Sequence, residues 1–154
     1  MFPLLISFAS LLLASLLVGA LFGVWLFLNP AGLDANSYVA VQQQAIRTMN
    51  RVMPALGAVT ILLTITAAAL GRGDNARFGL LAAAVACFIS IGLITRFLNQ
   101  PINAIVMAWG AGSPPADWTG LRDAWWRWHQ VRVITGLVAL SLLIVAMLRL
   151  GWNG

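Results

Sequence analysis

The best candidates for acid–base chemistry in this chain are His129 and two neighbours in the same predicted helix, Trp125 and Arg132. Spacings of four and three residues place the three side chains on one helical face. Histidine is the side chain whose unperturbed pKa lies nearest neutrality, so His129 could act as a general acid or base. The positive charge of Arg132 would favour a neutral imidazole and could stabilise a developing oxyanion.

The same segment also has a purely structural interpretation. Four tryptophans fall within eleven residues, at Trp118, Trp125, Trp126 and Trp128. Tryptophan and arginine concentrate at the headgroup level of membrane proteins, so the segment could form an interfacial belt. A belt explains the tryptophans about as well as a binding site does, but it explains His129 less well.

A second polar set, Arg96, Asn99 and Asn103, also has helical spacings of three and four. The three share a face if Pro101 does not distort the helix much. Arginine offers fixed donors and asparagine offers donors and acceptors, so together they could hold an anionic oxygen of a ligand. Alternatively, they cap the preceding helix and satisfy the backbone groups that Pro101 frees.

Two spacing-four pairs occur earlier in the chain, Tyr38 with Gln42 and Gln43 with Arg47. They could line the same pocket from its opposite wall. A solvated interfacial face explains these pairs equally well.

Metal chemistry is not expected from the residue inventory. The chain has one cysteine, Cys87, and one histidine, too few for a conventional zinc site or a bis-histidine haem site. No nucleotide-binding loop, serine nucleophile or paired-carboxylate motif is present. We therefore expect no metal site.

The elements that must position these residues are membrane helices. Hydrophobic residues make up 61% of the 154 residues and charged residues 8%, whereas soluble chains carry about 25% charged residues. The excess apolar surface must therefore meet lipid. The net charge of +5 comes from scattered arginines, which argues against a nucleic-acid-binding surface.

Four apolar runs predict an all-α fold, a transmembrane four-helix bundle in a single domain over residues 1–154. The predicted spans are 4–28, 55–70, 76–96 and 133–150. The first and third connections are predicted to be amphipathic interfacial helices. Because four spans bring these two connections to the same side of the bilayer, the polar segments 33–53 and 96–132 should face each other at one end of the bundle.

The expected surroundings are a bacterial inner membrane and its lipids. A sequence rich in alanine, glycine and arginine, without lysine or glutamate, is typical of a GC-rich genome. The small-residue pattern Gly19-x-x-x-Gly23 permits close helix packing, within the bundle or in a homo-oligomer. No nucleic-acid partner is expected.

Three stretches of the chain resemble the anthrone-oxygenase-like family of small four-helix membrane proteins. They are TRFLNQPIN at 95–103, PADW at 115–118 and RDAWWRWHQVR at 122–132. The resemblance implies a cofactor-independent oxygenase that acts on a hydrophobic aromatic molecule, similar to an anthrone or a quinone, with O2 as its second substrate.

In such an enzyme a base removes an acidic C–H proton, and the resulting enolate reacts with O2 without metal or flavin. The resemblance makes His129 the base, and Arg96 and Arg132 the groups that stabilise the oxyanion. The substrate-binding candidates, from the resemblance and the spacings together, are Asn99, Asn103, Trp125, Trp126, Gln43, Tyr38 and Arg47.

Two other classes of function remain compatible with the sequence. A non-catalytic membrane protein could bind a lipid or a partner subunit through the same small-residue faces and polar end. A small transporter would need a path through the bundle, and the chain lacks the intramembrane acids suited to proton coupling.

Overall fold

The computed structural model describes residues 1–110 and 114–149, which are helical and contain no strand. Their helices are α1 (Phe2–Phe27), α2 (Ala35–Leu70), α3 (Asn75–Ile94), α4 (Gln100–Ala108) and α5 (Trp118–Leu148), with a 3-10 turn at Pro30–Gly32. The all-α prediction is confirmed. Residue 150, the predicted end of the last span, lies outside the described residues.

Four helical stretches of the described chain are long and apolar enough to cross a bilayer. They are Phe2–Gly32, Ala35–Leu70, Asn75–Ala108 and Trp118–Leu148. Each exceeds the roughly 20 residues that a hydrocarbon core requires. Large apolar side chains such as Phe8, Leu62 and Leu148 are mostly exposed, as expected where a surface meets lipid. The predicted transmembrane bundle is therefore confirmed, and it fits a multi-pass membrane protein.

The two predicted interfacial helices are not separate helices. They form the N-terminal parts of the long helices α2 and α5. α2 runs through Pro54 without a break, as membrane helices allow where neighbouring groups accommodate the freed carbonyl, and α5 begins at Trp118. The carboxylate of Asp34 caps α2 by accepting hydrogen bonds from the hydroxyl and the backbone N–H of Ser37. These bonds lower the pKa of the Asp34 carboxyl from its usual value.

A π-helical turn, Thr95–Asn99, joins α3 to α4 in one continuous rod. In this turn the backbone N–H of Gln100 bonds to the carbonyl of Thr95, five residues earlier. Pro101 follows directly and has no N–H with which to continue the α-helical ladder, so the turn widens here. The extra residue changes which side chains share a face before and after the turn.

The two polar segments face each other at one end of the bundle. Gln43 of α2 donates to the carbonyls of Val106 and Trp109 at 2.9 and 3.0 Å. Two helical turns further along α2, Asn50 accepts an exposed hydrogen bond from Gln100 at 2.9 Å. These bonds fix the register of α2 against the α3–α4 rod.

The opposite half of the bundle is a packed core of small and apolar residues. Ala14, Ala84 and Ala139, on α1, α3 and α5, are fully buried. One polar contact crosses this core, a 3.0 Å hydrogen bond between the hydroxyls of Ser10 and Thr64. Close packing here leaves the polar half of the bundle as the place where a ligand can fit.

Gly136 of α5 lies where α5 packs against α1 and α3. A Cβ at this position would lie 3.4 Å from Val18 and 3.5 Å from Ile91. At Gly19 and Gly23, by contrast, a Cβ would meet nothing within 4 Å. Their small-residue pattern therefore does not mediate close helix packing among the described residues.

Replacing Gly136 tests this packing. We expect Gly136→Leu to lower the free energy of unfolding by about 1–3 kcal/mol, because the larger side chain would overpack the contact with α1 and α3. Denaturant unfolding of the purified protein in detergent measures the change. Gly19→Leu, the same substitution at an open position, should have less than half this effect, and equal losses in both variants would contradict the packing.

Candidate functional site

A cavity of about 570 Å³ lies between α1, α2, α5 and the α3–α4 rod, in the polar half of the bundle. This volume falls within the roughly 300–1,000 Å³ that is typical of small-molecule sites. Most of its wall is apolar, with residues such as Leu21, Ile46 and Phe88. A limited number of polar groups therefore decides which molecules it can hold.

Six of the predicted site residues line this cavity. They are Tyr38, Arg96, Asn103, Trp125, His129 and Arg132. All of them except Arg96 are buried. The fold thus brings together side chains from α2, the α3–α4 rod and α5 that are far apart in the sequence.

Arg132 is buried, and it bonds to neutral side chains. Its Nη2 donates to Nδ1 of His129 at 2.9 Å, and its Nη1 donates to Oγ1 of Thr95 at 3.1 Å. Thr95 is fixed in turn, because its hydroxyl donates to the carbonyl of Ile91 at 2.8 Å. Within the described chain no carboxylate forms an ion pair with Arg132. Its positive charge is therefore available to a ligand.

This contact also sets the tautomer of His129. A guanidinium has only donors, so Nδ1 must accept from Arg132, and the proton of the neutral ring then sits on Nε2. Nε2 is buried and makes no hydrogen bond of good geometry among the described residues, although the backbone carbonyl of Leu21 lies close enough to interact with the ring. A ligand oxygen in the cavity could therefore take this N–H in place of that weak contact.

Aromatic stacking and two amides hold the His129 ring in place. The ring lies parallel to Trp125, with centroids 5.2 Å apart and planes 7° apart, and its centroid is 5.6 Å from that of Trp126. The indole Nε1 of Trp125 donates to Oδ1 of Asn103 at 2.8 Å. The carbonyl of Trp125 accepts from Nδ2 of Asn99 at 3.1 Å. These contacts give the imidazole a defined orientation before any ligand binds.

Four other predicted site residues do not line the cavity. Asn99 is buried in the contact with α5, and Trp126 reaches the site only by stacking on His129. Gln43 bonds to backbone carbonyls in and after α4. Arg47 lies on the exposed face of α2, in a shallow groove that is separate from the cavity.

Three further polar residues line the cavity and were not predicted to do so: Asn50, Thr95 and Gln100. Gln42 lines it as well, in agreement with the spacing-four pair that Gln42 forms with Tyr38, although Gln42 was not among the substrate-binding candidates. Asn50 and Gln100 bond to each other across the bundle, a contact that no local spacing reveals. Thr95 acts through Arg132, which lies 37 residues away.

The cavity wall carries positive charge and no acid. Arg96 and Arg132 line it, and its lining residues include no aspartate or glutamate. Within residues 1–110 and 114–149 no group of three His, Cys, Asp or Glu side chains could hold a metal ion. Such a wall suits an apolar molecule that carries an electron-rich or anionic oxygen.

Comparison with known families gives a match over most of the chain that contributes to the cavity. A family model described as anthrone oxygenase matches residues 43–142, about two thirds of the chain. Tyr38 and Gln42 precede the matched region. Comparisons with curated proteins and with solved structures found no match. The polar side chains of the cavity that fall inside the match, together with Trp125, are Asn50, Thr95, Arg96, Gln100, Asn103, His129 and Arg132.

The support of the imidazole can be tested through Asn103. We expect Asn103→Leu to lower the free energy of unfolding by about 1–3 kcal/mol, because the buried indole N–H of Trp125 loses its acceptor. Thermal and denaturant unfolding in detergent measure the loss. Gln100→Leu is the matched control: its hydrogen bond to Asn50 is exposed, so the loss should stay near 0.5 kcal/mol or below, roughly the range of surface substitutions. Equal stability of the two variants would argue against the Asn103–Trp125 bond.

Proposed function

Because the chain belongs to the anthrone oxygenase family, we propose that it oxidises a lipophilic anthrone- or quinone-like aromatic molecule with O2. The proposed reaction is cofactor-independent, since the ionised substrate itself supplies the electrons to O2. One observation carries the proposal: His129, bonded at Nδ1 to the Arg132 cation, lies in the wall of an apolar cavity, and its Nε2–H makes no hydrogen bond of good geometry there.

The proposed reaction converts a ring CH2 group, activated by the ketone across the ring, into a second carbonyl. Proton abstraction from this carbon leaves its electron pair delocalised onto the ketone oxygen as an enolate. The enolate carbon then transfers electrons to O2, a C–O bond forms, and the resulting peroxide anion takes up a proton. Cleavage of the remaining C–H bond and of the O–O bond releases water and forms the new carbonyl. One O2 is consumed and one water is released.

His129 and Arg132 act on the oxygen that becomes negative. The Nε2–H of His129 donates to the ketone oxygen and binds it more strongly as the enolate forms, while Arg132 polarises the ring from Nδ1. A preorganised donor aimed at a developing oxyanion is worth about 10²–10³ in kcat. The family resemblance implied that His129 is the base, but its Nδ1 lone pair is occupied by Arg132. We therefore assign His129 as the donor and water as the proton acceptor.

Water has a route to this end of the cavity. Asn50 and Arg96 line the cavity and are exposed, and both lie at the polar end of the bundle. A water molecule beside them can take the C–H proton while the electron pair moves to the oxygen held by His129. The two arginines then offset the charge of the enolate.

The substrate has a separate route from the lipid, between α2 and α3. Gly57, Ala58 and Gly92 line the cavity and are at least partly exposed. A Cβ at either glycine would meet nothing within 4 Å, so this wall of the cavity is thin. We place the protein in the bacterial inner membrane, whose lipids would dissolve the substrate and deliver it through this gap.

Two substitutions of His129 separate a donor from a base. We expect His129→Ala to lower kcat/KM for anthrone oxidation by about 10²–10³. His129→Gln should lie within about tenfold of wild type, because its amide N–H can replace the Nε2 donor but cannot act as a base. O2 consumption and the absorbance of the quinone product measure the rates. Arg127→Gln, an exposed change on the same helix, should leave the rate unchanged.

The opposite results would have clear meanings. A Gln variant as inactive as the Ala variant would identify His129 as a base and contradict the donor role. Both variants as fast as wild type on a panel of anthrones would refute the mechanism. Binding of anthrones without any oxidation by the wild-type protein would instead indicate a non-catalytic binding protein.

The Arg132→Met substitution separates the effect of the Arg132 charge on catalysis from its effect on stability. An apolar residue of similar volume removes a buried cation, so we expect the free energy of unfolding to be maintained or raised. Because the enolate would lose its positive counter-charge, kcat/KM should fall by about 10² or more. Unfolding curves and oxidation rates measured on one preparation distinguish the two effects. An active Arg132→Met variant would exclude charge stabilisation by this residue.

If the substrate enters between α2 and α3, larger side chains in this gap should slow its entry. Gly57→Leu and Gly92→Leu should each lower kcat/KM by about tenfold or more, with a smaller change in kcat, because they obstruct access and leave the reacting groups in place. Gly79→Leu, an exposed glycine on α3 that does not line the cavity, is the matched control. Unchanged kcat/KM in both gap variants would rule out this route.

A further inference from the structure

Two buried side chains of α2 line the cavity and have no part in the reaction proposed above. Tyr38 is 1% exposed and Gln42 is 5% exposed. The hydroxyl of Tyr38 and Nε2 of Gln42 have no hydrogen-bond partner among the described residues. Burying a polar group without a partner is unfavourable, so two such groups, one helical turn apart in a cavity wall, indicate a place where a ligand supplies the missing partner.

Tyr38 and Gln42 lie much nearer the polar end of the bundle than His129 does. Gln100 bonds to Asn50 of α2, and its neighbour Asn99 bonds to the carbonyl of Trp125 in α5. Asn50 and Trp125 therefore lie at about the same height along the bundle. His129 follows Trp125 by four residues and so lies at least as deep as Asn50. Gln42 and Tyr38 precede Asn50 by eight and twelve residues, or about 12 and 18 Å along a helix at 1.5 Å per residue.

We propose that Tyr38 and Gln42 form an outer polar station that selects an elongated substrate. In this arrangement the reacting ketone lies at His129 and Arg132, and a second oxygen, on a substituent roughly 12–18 Å away along the cavity, accepts hydrogen bonds from Tyr38 and Gln42. The station therefore determines specificity and takes no part in the chemistry. This inference rests on the proposed function.

The charge around the outer station favours an uncharged oxygen. Tyr38 stacks on Trp118, with ring centroids 5.2 Å apart, and the guanidinium of Arg122 lies 5.0 Å from the Trp118 ring. Arg122 is already paired with Asp123 at 2.8 Å. With that cation neutralised, a ketone or ester oxygen fits the two donors better than a carboxylate does.

Three synthetic anthrones test the station. Each carries a chain of about ten carbons on an outer ring, long enough to cover the separation: a plain alkyl chain, the same chain with a ketone near its end, and the same chain ending in a carboxylate. The dissociation constant of each is measured by quenching of tryptophan fluorescence of the full-length protein in detergent, under anaerobic conditions. We expect the ketone compound to bind about tenfold more tightly than the alkyl compound, since each net hydrogen bond contributes up to roughly that factor. The carboxylate compound should bind less tightly than the ketone compound.

Substitutions assign the preference to the two side chains. Tyr38→Phe and Gln42→Leu should each reduce the preference for the ketone over the alkyl compound to about threefold or less, and leave binding of the alkyl compound unchanged. Gln44→Leu makes the same change as Gln42→Leu on the exposed face of α2, and it should keep the full preference. Melting temperatures of all variants verify that each is folded.

The outcomes separate this station from the proposed reaction. Equal binding of the ketone and alkyl compounds to wild type, or a preference that survives in both variants, would overturn the station even if all three compounds are oxidised. No measurable binding of either compound would overturn it as well. A tenfold preference that disappears in the variants supports the station, even if aeration yields no quinone; that second result would refute the proposed oxygenase function alone.

Discussion

The rest of this site depends on a buried arginine that has no carboxylate partner. An uncompensated charge inside a membrane bundle is unfavourable by several kcal/mol, so Arg132 needs polar contacts wherever the fold can supply them. It obtains them from Nδ1 of His129 and Oγ1 of Thr95, and its Cζ lies 5.9 Å from the centroid of the Trp125 ring. All three partners are neutral. The charge is thereby held in place without being neutralised, and this is the state in which it can act on a ligand.

The neighbouring features can be understood as supports for this arrangement. Pro101 interrupts the backbone ladder and a π-helical turn forms before it. That turn begins at Thr95, which binds Arg132, and ends at Asn99, which binds the carbonyl of Trp125. One irregularity in the α3–α4 rod therefore positions a contact to the cation and a contact to the aromatic ring that stacks on His129. A regular helix would carry the same residues on a different face.

The sequence predicted the bundle and one wall of the site, because both follow from local periodicity. Apolar runs revealed the helices, and the spacing of Trp125, His129 and Arg132 placed them together on α5. Local spacing failed at the α3–α4 rod, where the π-helical turn separates Asn99, in the helix contact, from Arg96 in the cavity wall. It also could not decide which adjacent glutamine of α2 faces inward, since that depends on the rotation of the whole helix against its neighbours.

The uncommitted groups of the cavity have one chemical property in common. Among the described lining residues, the buried polar atoms without a partner are the hydroxyl of Tyr38, Nε2 of Gln42, Nε2 of His129 and Nε of Arg132. Each carries a hydrogen to donate, and no carboxylate competes for them in the cavity wall.

A ketone gains modestly from such donors, whereas its enolate gains far more, because the negative charge moves onto the bound oxygen. Under the proposed function, such a site would bind the ionised form of a substrate more strongly than the neutral form, which is the condition for catalysis by differential binding. It also explains how a cavity without a strong base could promote loss of a proton: a site that stabilises the conjugate base lowers the proton affinity required of the acceptor, and water becomes sufficient.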